Sequence, residues 1–156
     1  MTARVTAIAA AVLLLSAFSA HPQVIIPPRD LSFEQRVEAQ RAIQRVYHGH
    51  LVGSQLPFEE GVSREVLEGK VRTYLKQSAA LERFWGTPVT DAMLQAEMAR
   101  IARDTRLPER LIEIYHALGD DPFVIKETFV RAALVDRLAR GFFPTDQRVL
   151  AEALHS

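Results

Sequence analysis

The sequence predicts an all-α fold, a compact domain of about five to six helices, from two observations. From Ser63 to Arg140, apolar residues recur at spacings of three and four with almost no loop between patterns, which is the period of amphipathic helices. The breaks between those patterns are written in capping residues: Val89-Thr90-Asp91, Arg106-Leu107-Pro108-Glu109, Gly119-Asp120-Asp121-Pro122-Phe123 and Arg140-Gly141, each a start or stop signal. No recognisable catalytic kit accompanies this scaffold, so any function lies in its surfaces.

The first helix opens at Ser32, with Gln35 three positions on in capping-box spacing. Phe33, Val37, Ala39, Ile43, Val46 and Tyr47 fall on one broad face, while Glu34, Arg36, Glu38, Arg41 and Arg45 form the polar face. Gly49, Gly53, Pro57 and Gly61 punctuate a long connection that belongs at the surface or packs by its own side chains. From Ser63 the helical period returns through Val66, Leu67, Val71, Tyr74, Leu75, Leu81 and Phe84, until Gly86 and Pro88 end it.

Thr90 is the next N-cap, with Val89 before it and Leu94 inside the helix forming a hydrophobic staple. Leu94, Met98 and Ile101 line one face with Met93 beside them, and Glu97, Arg100 and Arg103 sit at its margins or beyond. Pro108 suits the first turn of the following helix, where its missing N–H has no intrahelical partner to lose. Leu111, Ile112, Ile114, Tyr115 and Leu118 continue that helix, and Gly119 stops it. Asp121-Pro122 repeats the start signal, and Phe123, Ile125, Phe129, Ala132, Ala133, Leu134, Val135 and Leu138 supply a long apolar stripe. Gly141 is suited to the left-handed position after a helix end, and 144–154 to a short terminal helix.

The N-terminus speaks to location. Arg4 precedes the mostly apolar run Val5 to Leu15, followed by the small residues Ser16, Ala17, Ser19 and Ala20, the layout of a cleaved secretory signal. A membrane anchor would need roughly 20 apolar residues, and His21, Pro22 and Gln23 arrive too early, so no stable membrane insertion is expected after cleavage. The expected organisation is a signal peptide over 1–20, an extended linker over 21–31 and a single helical domain over 32–156, with its helical core at 63–140. The chain has no cysteine, which excludes a lipidated N-terminus and leaves no disulfide or thiolate metal site. Periplasmic or secreted localisation follows.

The 19 basic residues balance 19 acidic ones. That argues against nucleic acid, whose binding needs many phosphates neutralised, and gives no electrostatic reason to bind anionic lipid.

His48-Gly49-His50 is the obvious candidate for metal, since imidazole binds Zn, Cu or Ni. No third ligand is fixed in register, and a helix C-terminus favouring His near its dipole explains the pair better; no metal and no cofactor are therefore expected. The sequence contains no Gly-x-Ser-x-Gly elbow, His-Glu-x-x-His motif or Gly-rich phosphate loop. Asp120-Asp121 and Glu59-Glu60 are adjacent carboxylates, and neighbours in sequence do not face each other on a helix. A non-enzymatic role is expected.

Aromatic and Met residues offer binding surface, because Met suits faces that accept varied apolar partners. Most belong to the core stripe; Trp85, after a helix end, and Phe142-Phe143, between Gly141 and Pro144, fall off it.

The order of signals from Ser63 to Arg140 resembles the N-terminal domain of SurA-type periplasmic chaperones. The likeness lies in a helix ending near Leu81 to Trp85, then the joint Val89, Thr90, Asp91 and Leu94. A short helix after Pro108-Glu109 with Leu111 and Leu118 follows, then a long helix from Asp121-Pro122-Phe123 through Leu134 to Arg140. Two departures accompany it: only a short tail follows Arg140 where relatives carry a parvulin-type isomerase domain, and Val24-Ile25-Ile26-Pro27-Pro28 is a poor copy of the family's paired strands. Isomerase activity is not expected of this chain.

The resemblance implies binding of unfolded or extended polypeptide, outer-membrane proteins among them, through an apolar groove. Trp85, Met93, Met98, Phe123 and Phe142 are the candidate peptide-binding residues. The alternative is a structural or accessory subunit of a cell-envelope complex, shaped for one folded partner; a metal-binding protein using His48 and His50 is the third reading.

Overall fold

The computed structural model describes residues 29–51 and 56–142. The expected signal peptide, most of the expected linker, Phe143 and the expected 144–154 helix lie outside them. Among the described residues the chain is helical throughout, without a strand: α1 (Phe33–Gly49), α2 (Phe58–Gly61), α3 (Arg64–Trp85), α4 (Asp91–Asp104), α5 (Pro108–Ala117), α6 (Pro122–Ile125) and α7 (Arg131–Phe142). A π-helical turn, Lys126–Val130, joins α6 to α7, so that 122–142 is one helix with a bulge in it. The all-α multi-helix fold read from the sequence is the one observed.

The caps form as their chemistry dictates. Ser32 Oγ accepts from Gln35 N–H at 3.2 Å while the Gln35 side chain accepts from Ser32 N–H at 2.8 Å, a complete capping box. Thr90 Oγ1 accepts from Met93 N–H at 3.2 Å, and Asp121 Oδ1 from Phe123 N–H at 2.9 Å. At the stops, Gly86 (φ 60°) and Gly119 (φ 73°) take the left-handed conformation that costs other residues a Cβ clash. Gly141 does not: α7 runs through it to Phe142. Packing of Phe142 against the core carries the helix past the expected stop.

Two apolar clusters share the core. Ala39 and Ile43 of α1, Leu94 of α4, Ile114 of α5, Leu118, and Ile125, Val130 and Leu134 of the last helix make the first. Val37 of α1, Leu67, Val71, Tyr74 and Leu81 of α3, and Val135 of α7 make the second. α1 and the last helix thus serve both, with α3 closing one side and α4 and α5 the other. Each fully buried Leu or Val contributes about 1.5–3 kcal/mol.

Several side chains depart from the simple face assignment. Phe33 and Tyr47, at the two ends of the α1 stripe, are exposed, because the helix outruns the core; the Arg72 guanidinium covers the Phe33 ring at 5.1 Å. Arg36, assigned to the polar face, is buried. Its fork reaches the Leu31 carbonyl at 3.2 Å, the Glu127 carbonyl at 2.7 Å and the Glu127 carboxylate at 3.3 Å, the pairing a buried charge requires.

The long connection holds the helical turn α2, which buries Phe58 edge-on to His48 with ring centroids 5.6 Å apart. At the other end, residues 29–31 of the expected linker are held in place: Arg29 pairs with Asp121 and lies over the Phe123 ring, and Leu31 is buried.

Candidate functional site

Between α4 and α7 lies an open hollow of about 360 Å³. Met93 and Ala96 of α4 and Leu134 and Leu138 of α7 give it an apolar lining, and Glu97, Arg100, Arg103 and Arg137 its polar one. The helix geometry accounts for this mixture. Glu97 follows Leu94 by three and precedes Ile101 by four, so it falls on the buried stripe of α4; Arg137 stands three residues after Leu134 on α7, beside the same seam.

Glu97 is only 2% exposed. Arg100 donates to both its oxygens, at 2.6 and 3.1 Å, and Arg137 donates across the helix pair at 2.7 and 3.4 Å. The hydrogen bonds of Arg100, and then those of Arg137, outweigh burial and hold the carboxyl down to about 2. Arg100 is correspondingly raised by Glu97. With both oxygens committed to guanidinium donors, the carboxylate is a fixed counter-charge and is not available as a base at neutral pH. The two arginines remain partly exposed, 38% and 50%, so donors they do not spend on Glu97 can meet a ligand.

One turn beyond Leu138, Phe142 stacks on Trp85, with centroids 5.5 Å apart and planes 12° from parallel. Trp85 also meets exposed Phe84 edge-on at 6.3 Å. A second, smaller hollow of about 240 Å³ lies against the same tryptophan, between Gln77 and Ala80 of α3 and Ala139 and Arg140 of α7. The C-terminal part of α7 therefore has a hollow on either side, the one toward α4 mixed in lining and the one toward α3 mostly apolar.

Of the five candidate binding residues, the structure brings Trp85 and Phe142 into contact and puts Met93 in the hollow between α4 and α7. Met98 packs against the first core cluster, and Phe123 sits under Arg29 at the start of α6 with 4.8 Å from guanidinium to ring centroid. Neither lines the two hollows. Glu97 and Arg137 are the residues sequence reasoning passed over. The signal for Glu97 was its register with Leu94 and Ile101; nothing local announced Arg137 as its partner 40 residues away.

The two histidines go different ways. His48 faces Phe58, and His50 Nε2 lies 2.6 Å from Glu113 Oε2. Among the described residues no three His, Cys, Asp or Glu side chains come together in a manner that could hold a metal ion, and no described helix is long and apolar enough to cross a membrane.

Comparison with protein-family models, with curated proteins and with solved structures gives no match. The likeness to SurA-type chaperones therefore stands on the capping and helix signals from Ser63 to Arg140 alone.

Proposed function

We propose that the chain is an exported, non-enzymatic helical domain that binds unfolded or extended polypeptide, in the manner of the chaperone domain it resembles. The observation that carries this reading is the open hollow between α4 and α7, with Met93, Leu134 and Leu138 in its lining, together with the Trp85–Phe142 stack one turn beyond Leu138. Flexible Met and flat aromatic surface suit clients whose apolar side chains differ from one segment to the next. The leader-like N-terminus supports a periplasmic or secreted site of action, where unfolded outer-membrane proteins are candidate clients.

Dilution of a denatured outer-membrane protein into buffer, followed by light scattering, tests the reading. The protein in molar excess should slow or abolish aggregation, and an unchanged scattering trace would sink the proposal. Recovery of one folded partner at fixed stoichiometry, in place of unfolded clients, would favour the accessory-subunit alternative.

A further inference from the structure

We propose that the hollow between α4 and α7 selects extended peptide segments in which a carboxylate side chain stands next to an apolar one. This rests on the polypeptide-binding reading above and adds to it the chemistry of the preferred segment.

The charge of the hollow is the first ground. Arg100, Arg103 and Arg137 line it with Glu97. Asp104, at the end of α4, pairs with Arg103 at 2.8 Å and approaches Arg100 at 3.5 Å, so cations outnumber anions three to two even with Asp104 counted. The chain as a whole is neutral; the excess is local.

Donor supply is the second. Arg137 spends Nε and Nη2 on Glu97, a carboxylate it shares with Arg100, while a guanidinium carries five N–H donors. A half-exposed arginine already oriented by a buried carboxylate is poised for a second one, since the fork is fixed before the ligand arrives.

The apolar lining is the third. Met93, Leu134 and Leu138 share this hollow with the guanidiniums. About 360 Å³ open to solvent admits a side chain or two of a passing segment, and the alternation of an extended chain sends neighbouring side chains to different walls. An acidic residue beside Leu or Phe satisfies both linings.

Trp85, the single tryptophan, reports on the C-terminal part of α7 through its stack with Phe142. Short peptides alternating Leu with Asp, with Asn or with Lys are titrated into the full chain, following Trp85 emission and the anisotropy of a peptide label. The Asp peptide should bind about tenfold more tightly than the Asn peptide, the ratio expected of charge-assisted hydrogen bonds, and the Lys peptide more weakly than either. Arg137→Gln should bring the Asp-to-Asn ratio near one. Arg103→Gln, which leaves the Glu97 pairings untouched, should reduce it with the fold intact, so that variant decides if Arg137→Gln unfolds.

Equal binding of the Asp and Asn peptides to the unmodified chain, or a ratio that survives both substitutions, overturns the selectivity and leaves polypeptide binding standing. Failure of all three peptides to bind, together with no protection of denatured protein, overturns both.

Discussion

Arg36 Nη1 of α1 donates a 2.7 Å hydrogen bond to the backbone carbonyl of Glu127, inside the π-helical turn of the last helix. The π turn breaks the regular i to i−4 ladder, and a buried side chain from a helix 91 residues earlier supplies this carbonyl with a donor. The same guanidinium holds the Leu31 carbonyl and the Glu127 carboxylate. Arg36→Met keeps the aliphatic stem and strands those acceptors, so it should cost about 2–4 kcal/mol. Urea unfolding of the two proteins measures it, and Arg41→Met on the same helix, with its side chain at the margin, should cost far less.

Glu97 makes stability depend on acid. Its carboxyl titrates near 2 in the fold against an ordinary 4.5, so the unfolded chain takes up its proton first as pH falls. The stabilisation is fully present above about 4.5 and is lost on the way down to about 2. The partly exposed arginines that cover it admit solvent screening, which reduces the contribution to about 2 kcal/mol. Chemical denaturation at pH 6 and at pH 2.5 should show that part of the loss in the unmodified protein and not in Glu97→Gln.

Thr90 closes the joint between α3 and α4 through its bond to Met93 N–H. Thr90→Ala leaves that donor unsatisfied by the chain and should lower stability by about 1 kcal/mol. Helical content by circular dichroism should change little at low temperature, with the loss visible in the thermal midpoint.

Ile112 and Ile114 share one helix and opposite fates: Ile114 is 2% exposed and Ile112 is 53% exposed. Ile114→Ala should cost about 2–5 kcal/mol, whereas Ile112→Ala should stay within about 0.5 kcal/mol. Equal costs would mean that α5 is rotated from the orientation described.

Helix starts were the most legible part of this chain, because a cap is a local device: Ser32 with Gln35, Thr90 and Asp121 each need only neighbours three residues away or fewer. The core stripe of α3 was legible for the same reason, its buried Leu67, Val71, Tyr74 and Leu81 keeping helical period. Long-range partners were not. Arg36 reads as a polar-face residue until Glu127 lies opposite it, and Glu97 reads as a margin residue until Arg137 arrives from α7. Gly141 misled because the stack of Phe142 on Trp85 outweighs a glycine's preference for ending a helix. The hollow between α4 and α7 is a property of two helices at once, so of its lining only Met93 was among the binding residues picked from sequence.

The most direct test is the affinity of a labelled, denatured outer-membrane polypeptide for the unmodified chain and for Ala96→Trp. Ala96 is exposed and lines the hollow, so the larger side chain fills that space from outside the core. Binding by the unmodified protein, weakened about tenfold or more by Ala96→Trp, is the expected result. Binding that is absent from the unmodified protein, or indifferent to the filled hollow, contradicts the assignment of this site.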